Sequence, residues 1–229
     1  MHLSVSSKER MKQAVVFDFN GTLFLDTCFH EEAWSRVYRE LCKEKDKEPD
    51  PSFFCGPPND VLLYTLAPEL TKEERQKWSV HKEAIYRKIC MENSDKVHLT
   101  AGAKELFLKL RERRIPYTLA TASIKDNMDF YFKTFHLEQW FEREMCVYDD
   151  GAYANKGEMQ VEAARRLGTT LSECIVIEDS ISAIGYAREN NAGKVIGIGS
   201  DSVHPELIRK GAVHCIRDFT EFDFEWLNN

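Results

Sequence analysis

The sequence predicts an α/β protein: a parallel sheet with helices on both faces, interrupted early by an inserted helical segment. Three observations carry this. Short continuous apolar runs stop abruptly at polar residues, as buried parallel strands do. Helical patterns alternate with them from residue 101 onward. A long stretch after the first run carries helical patterns and no convincing strand.

Gln13–Phe19 is the first predicted strand. The segment from Cys28 to Val97 then breaks the alternation. In it Glu31–Leu41 places Trp34, Val37, Tyr38 and Leu41 on one helical face, and Asp60–Leu66 is a short apolar segment after the Gly56-Pro57-Pro58 turn. Thr71-x-x-Glu74 is a capping box opening a helix with Trp78, Ile85 and Ile89. Lys43–Pro51 between them is charged and ends in Pro49-Asp50-Pro51, a loop. Ala101–Arg114 carries Ala103, Leu106, Phe107 and Leu110 at helical spacing, and Ile115–Thr121 is the second strand. Met145–Tyr148 is a shorter strand candidate. Lys156–Leu167 is a helix with Asn155 as N-cap, Glu158 as the third-position acid, and Gly168 at its end. Cys174–Ile177 is a strand, and Ser180 caps a helix over Ile181–Asn190. Lys194–Ile198 and Ala212–Ile216 complete the sheet. The expected architecture is therefore a Rossmann-like core over 1–27 and 98–229 with a helical cap over 28–97.

Composition narrows the function. The 229 residues are 43% hydrophobic and 30% charged, with formal net charge -7. This excludes a disordered chain and argues against a nucleic-acid binder, which usually carries a basic surface. No apolar run approaches the ~18–20 residues of a membrane span, and Met1–Lys12 lacks a signal-peptide core. The expectations are a cytoplasmic protein without nucleic-acid or membrane partners, a monomer or weak homodimer. Seven singly spaced cysteines predict reduced thiols and no zinc site.

Four motifs carry chemistry. Phe17-Asp18-Phe19-Asn20-Gly21-Thr22-Leu23 straddles the end of the first strand, where ligands bind in open α/β sheets; Gly21 supplies a tight turn. Ala120-Thr121-Ala122-Ser123 puts hydroxyls at the end of the second. Lys156 stands at a helix start, where the macrodipole ordinarily favours acids, so it suits pairing with an anion or with Asp18. Glu178-Asp179 places two carboxylates at the end of a buried strand, costly without a cation and suited to Mg²⁺. Each also has a plain structural use: a turn glycine, capping hydroxyls, a surface lysine, a helix-capping acid. Their combination and order is the specific signal.

That order resembles the haloacid dehalogenase superfamily of phosphotransferases, and the likeness spans nearly the whole chain. The insert corresponds to the mobile cap of the branch containing phosphoglycolate phosphatase, phosphonatase and β-phosphoglucomutase. Asp26-Thr27, His30 and Ala33-Trp34 resemble that branch, as do Glu178-Asp179-Ser180, Ala183-Ile184 and Ala187. The resemblance implies that Asp18 attacks phosphorus and forms an aspartyl-phosphate. It implies that Thr121, Ala122, Ser123 and Gly21 surround the phosphoryl group, and that Lys156 neutralises charge. Mg²⁺ would be held by Asp18, the backbone carbonyl of Asn20 and Asp179, with Glu178 close by or joining through water. The expected function is hydrolysis of a small phosphorylated metabolite, with His30 a substrate or hinge residue; the alternatives are a mutase-like phosphotransferase and a non-catalytic phosphate-binding protein.

Two departures qualify the resemblance. Asn20 stands where the family usually has the acid/base aspartate, and an amide transfers no proton; general acid–base catalysis contributes ~10²–10⁴-fold. After Lys156 the chain reads Gly157-Glu158-Met159 instead of Pro-x-Pro. In addition, Cys55–Asp60 lacks the arginine with which β-phosphoglucomutase grips a second phosphate, which disfavours a two-phosphate mutase.

Overall fold

The computed structural model describes residues 13–42, 50–54 and 57–227. The predicted terminus Met1–Lys12, most of the 43–51 loop, and Cys55 and Gly56 lie outside them.

Among the described residues six strands form one parallel sheet in the order β3-β2-β1-β4-β5-β6. They are β1 (Ala14–Phe17), β2 (Tyr117–Ile124), β3 (Val147–Asp149), β4 (Cys174–Glu178), β5 (Lys194–Ile198) and β6 (His214–Ile216). Helices α1 (Thr27–Leu41), α2 (Asn59–Leu66), α3 (Lys72–Glu92), α4 (Ala103–Glu112), α5 (Lys125–Phe135), α6 (Lys156–Arg166), α7 (Ile181–Glu189) and α8 (His204–Lys210) occupy the connections. The parallel α/β core agrees with the expectation.

The two-residue alternation of the strands splits the core between the two faces. Val15, Phe17, Ile175, Ile177, Ile196 and Ile198 point to one side, into a cluster with Phe19, Phe107 and Tyr131. Ala14, Val16, Cys174, Val176 and Val195 point to the other, against small residues such as Ala163, Ala164 and Ala187 that let α6 and α7 lie close. Phe17 anchors the aromatic side, its ring edge-on to Phe107 at 5.5 Å.

The strand ends differ from the sequence reading in a consequential way. β2 starts at Tyr117, after Pro116, which has no N–H for the ladder, and runs on to Ile124. Thr121 and Ser123 therefore sit within the last turn of pleat, beside a register shift between Ala120 and Ile124, and not beyond the strand. Helix α5 was absent from the pattern reading because its aromatic run, Phe130-Tyr131-Phe132, favours strand as much as helix. It buries Asn127, Met128, Tyr131, Phe132 and Phe135, an i,i+4 stripe. Helix α8 is short and buries only Leu207. The Asn155 cap is present, accepting from the amides of Gly157 at 2.8 Å and Glu158 at 3.2 Å. Glu158 reaches back to the Ala154 amide at 2.8 Å instead of closing a box on Asn155. Ser180 stands at the N-cap position of α7 but makes no side-chain cap bond; its hydroxyl pairs with Ser182 at 3.0 Å.

Residues 28–97 contain no strand among those described. Trp34, Val37, Tyr38, Leu62, Leu63 and Leu66 of α1 and α2 form an apolar cluster of their own, and Trp34 stacks on Phe54 at 5.8 Å. The Thr71–Glu74 capping box opens α3 as expected. The two ends of the segment are fastened together, the Thr100 amide donating to the Leu23 carbonyl at 2.9 Å and its hydroxyl to the Thr22 carbonyl at 2.8 Å, while Phe29, Ala33, Tyr86, Ile89 and Cys90 pack into the main core. The described cysteines are all free, and no described helix is long and apolar enough to cross a membrane.

Candidate active site at the carboxyl end of the sheet

Strand order reverses at β1, whose neighbours β2 and β4 lead away in opposite directions. In open α/β sheets the crevice beyond that switch point is where ligands bind. Phe17 is level with Ile177 of β4 and Leu119 of β2, so the next residue, Asp18, emerges beside Glu178 and Ala120. The Asp18 amide continues the ladder to the Ile177 carbonyl at 3.0 Å.

Four charged side chains converge there. Lys156, from the first turn of α6, forms an ion pair with Asp18 and lies 3.6 Å from Glu178. One carboxylate oxygen from each of Asp18, Glu178 and Asp179 falls within a 4.8 Å cluster. Asp18 and Glu178 are buried, and Glu178 Oε2 has no hydrogen-bond partner. Gly21 holds a left-handed φ of +73°, and a Cβ built on it would lie 2.1 Å from Asp179 Oδ2. Only glycine lets the loop approach that carboxylate so closely.

The electrostatics follow from burial and crowding. Burial raises the Asp18 carboxyl above its ordinary value, with Lys156 opposing. Burial and the Asp18 charge push Glu178 well up, and the same causes push Asp179 up to about 8. Burial works against the Lys156 charge, but Asp18 and Glu178 outweigh it and raise its pKa. One lysine cannot balance three crowded carboxylates. An all-oxygen donor set with an unpartnered buried carboxylate oxygen fits a hard divalent cation such as Mg²⁺.

A second, uncharged-to-anionic network adjoins the first. The Asn20 amide nitrogen donates to Asp26 Oδ2 at 2.6 Å and to the Tyr131 hydroxyl at 2.8 Å. Its oxygen accepts from Ser123 at 2.6 Å and from Thr121 at 3.4 Å. Asp26 also accepts from the Gly21 amide at 3.0 Å and the Tyr86 hydroxyl at 2.5 Å. His30 lies 3.3 Å from Asp26, stacks on Tyr86 at 4.0 Å, and takes a hydrogen bond from Lys82 at 2.7 Å. Lys82 and Glu83 pair at 2.9 Å, and Glu83 accepts from Asn59 at 2.8 Å and Asn127 at 2.7 Å.

The structure thus groups Asp18, Lys156, Glu178 and Asp179 around one point. It puts Asn20, Thr121 and Ser123 beside them, with Gly21 as the lining turn and exposed Ala122 between the two hydroxyl residues. His30 is not a surface cap: it belongs to the second network. Sequence reasoning gave no role to Tyr86, Lys82, Glu83, Tyr131 or Asn127. A signal existed: Lys82 lies on the i,i+4 stripe Trp78, Lys82, Tyr86 of α3, and a lysine on an apolar stripe needs a buried partner.

A family model described as haloacid dehalogenase-like hydrolase matches residues 12–189. The chain belongs to the haloacid dehalogenase-like hydrolase family. Members of this enzyme family include phosphatases acting on phosphate esters. Among solved structures, a haloacid dehalogenase-type hydrolase of family IA, variant 3, from Entamoeba histolytica shares 32% identity, with 94% of this chain and 97% of that one covered and a TM-score of 0.87. A β-phosphoglucomutase from Clostridium difficile shares 20% identity over 95% of this chain and 96% of its own, with a TM-score of 0.77. A variant of CbbY from Rhodobacter sphaeroides, in complex with xylulose-(1,5)bisphosphate, shares 17% over 92% and 96%, with a TM-score of 0.75. The last two likenesses speak to the fold alone. No curated protein matches the chain significantly in sequence.

Proposed function

We propose that the chain is a Mg²⁺-dependent phosphohydrolase of a small phosphorylated metabolite, working through an aspartyl-phosphate on Asp18. The observation that carries the reading is the convergence of Asp18, Lys156, Glu178 and Asp179 within one cluster at the switch point. Asp18 attacks phosphorus along the line of the departing ester oxygen. Thr121, Ser123 and the backbone around Ala122 and Gly21 hold the phosphoryl oxygens, and Lys156 balances their charge. Asp18, Asp179, Glu178 and the backbone carbonyl of Asn20 would hold Mg²⁺. When bound, the ion supplies charge neutralisation at the phosphoryl group. Positioning and neutralisation do most of the work in phosphoryl transfer.

Asn20 has no proton to give the departing oxygen, so the reading favours substrates whose leaving groups need none. Residues 28–97 act as a cap over the site, supported by the apolar cluster that α1 and α2 build apart from the core and by the Tyr86 and His30 side chains they bring to Asp26. Closure would exclude bulk water while the phosphoryl group passes to Asp18; a single water then attacks that phosphorus, releasing inorganic phosphate and restoring the Asp18 carboxylate. The test is a phosphatase screen over phosphorylated metabolites with Mg²⁺, beside Asp18→Ala, with beryllofluoride binding followed by melting temperature. A Mg²⁺-dependent shift in wild type and none in Asp18→Ala is expected. No shift in wild type overturns the reading. Analogue binding without turnover of any ester transfers it to a non-catalytic phosphate-binding protein, the alternative that Asn20 favours.

A further inference from the structure

We propose that Asp26 is a positioning residue: it locks the Asn20 carboxamide so that its oxygen, and not its NH₂, faces the hydroxyls of Thr121 and Ser123. The inference rests on the phosphoryl-transfer reading of the site but concerns a residue that reading does not use.

The amide orientation follows from hydrogen-bond chemistry. Asp26 is 1% exposed, yet it is surrounded by donors: the Gly21 amide on Oδ1, and Asn20, Tyr86 and His30 on Oδ2. The Gly21 amide donates to one Asp26 oxygen and the Tyr86 hydroxyl to the other, so both oxygens accept, and the atom of Asn20 lying 2.6 Å from Oδ2 is the donor nitrogen. The Tyr131 hydroxyl at 2.8 Å takes a second amide hydrogen. The oxygen is then left toward the pocket, where it accepts from Ser123 at 2.6 Å. Turned over, Asn20 would present its carbonyl oxygen to the Asp26 carboxylate, two acceptors facing each other with no hydrogen between them.

Two consequences follow. Each of the Thr121 and Ser123 hydroxyls has one hydrogen, directed at the Asn20 oxygen in the resting site, so the amide orientation sets where both hydroxyl oxygens rest before a phosphoryl group takes those hydrogens over. The pair is also a matched amide and carboxylate. Exchanging the two side chains keeps one of each and preserves the hydrogen bond with its direction reversed. Replacing either one alone does not.

The experiment uses four full-length proteins: wild type, Asp26→Asn, Asn20→Asp, and the exchange variant carrying both. Tyr86→Phe, which removes one donor from Asp26 and leaves its charge, is a gentler fifth. Turnover of p-nitrophenyl phosphate with Mg²⁺, melting temperature, and beryllofluoride binding are measured for each. Asp26→Asn frees the amide to turn, and kcat should fall ~10–100-fold with KM nearly unchanged, as for loss of a partner that orients a site residue. The exchange variant should exceed Asn20→Asp in kcat, because both carry the new acid/base at position 20 and only the exchange variant keeps the amide–carboxylate pair. It should also melt higher than the summed effects of the two single changes allow. Unchanged kcat in Asp26→Asn, or an exchange variant no faster than Asn20→Asp and merely additive in melting temperature, overturns the proposal. Should wild type neither bind beryllofluoride nor turn over any ester, the phosphohydrolase reading fails separately. The melting-temperature cycle then decides the Asn20–Asp26 pairing: additive single effects reject it, and recovery in the exchange variant upholds it.

Discussion

Replacing Glu83 by glutamine tests the buried pair that ties α3 to its surroundings. Glu83 and Lys82 have side chains only 8% and 3% exposed and lie 2.9 Å apart. Burial works against the Glu83 charge, but Lys82, His30 and Asn59 more than offset it and bring the carboxyl from 4.5 down to about 2. A depressed folded-state pKa contributes stability that is present above the unfolded value and lost as pH falls through the folded one. The shift corresponds to roughly 3 kcal/mol at neutral pH, at 1.36 kcal/mol per unit. For a chain of this size, about 2–4 °C per kcal/mol makes a loss of about 6–12 °C. Glutamine keeps the shape and some hydrogen bonds but leaves Lys82 buried with less compensation, which adds to the loss. The assay is melting temperature of wild type and Glu83→Gln across pH 7 to pH 3. The difference should be largest at pH 7 and shrink to roughly half by pH 3, where wild type has lost part of the same charge. A difference that stays constant over that range, or is absent at pH 7, refutes the reasoning.

Other perturbations address the site itself. Gly21→Ala should cost about 1–2 kcal/mol for its left-handed backbone and push the Asp179 carboxylate aside; melting with and without Mg²⁺ should show a smaller metal-induced rise than in wild type. Lys156→Met leaves three crowded carboxylates without their cation. Denaturant unfolding should show a loss of about 3–5 kcal/mol in chelator, partly restored by Mg²⁺. Among substrates, those with good leaving groups should be turned over fastest, because Asn20 offers no proton. Asn20→Asp should raise rates on alkyl monoesters by up to ~10²–10⁴-fold, less whatever the disturbed contact with Asp26 removes; a wild type already brisk on sugar phosphates would point to another proton donor.

What the sequence revealed and what it hid have physical reasons. Buried parallel strands are continuous apolar runs, so β1, β4 and β5 were readable, β5 with both its ends. Their ends carry the chemistry, so Asp18 and Glu178-Asp179 were readable with them. The third dimension supplied the rest. Tyr86 and Tyr131 are large, apolar-bodied residues at helical spacing, and such residues read as ordinary core; only the fold shows that their hydroxyls converge 3.3 Å apart near Asn20. Lys82-Glu83 reads as a solvated face because charged neighbours usually are one. Helix α5 escaped because its contiguous aromatic run Phe130-Tyr131-Phe132, which suits a strand as well, masks the i,i+4 spacing of the residues it buries.

The paired bonds from Thr100 to Thr22 and Leu23 have a consequence for how such a chain can change length. They act as a clasp at the neck of a loop, so the sheet meets the insert as two adjacent ends and not as a distance to be spanned. Closure entropy grows only logarithmically with loop size, about 0.6 kcal/mol for each doubling. The sheet would therefore carry an insert lengthened or shortened at its outer end with little penalty, provided the ends still meet at the clasp and Phe29, Tyr86 and Ile89 still fill the core. Lengthening and shortening are tolerated there, whereas adding a single residue inside β1 would move Asp18 out of line with Glu178.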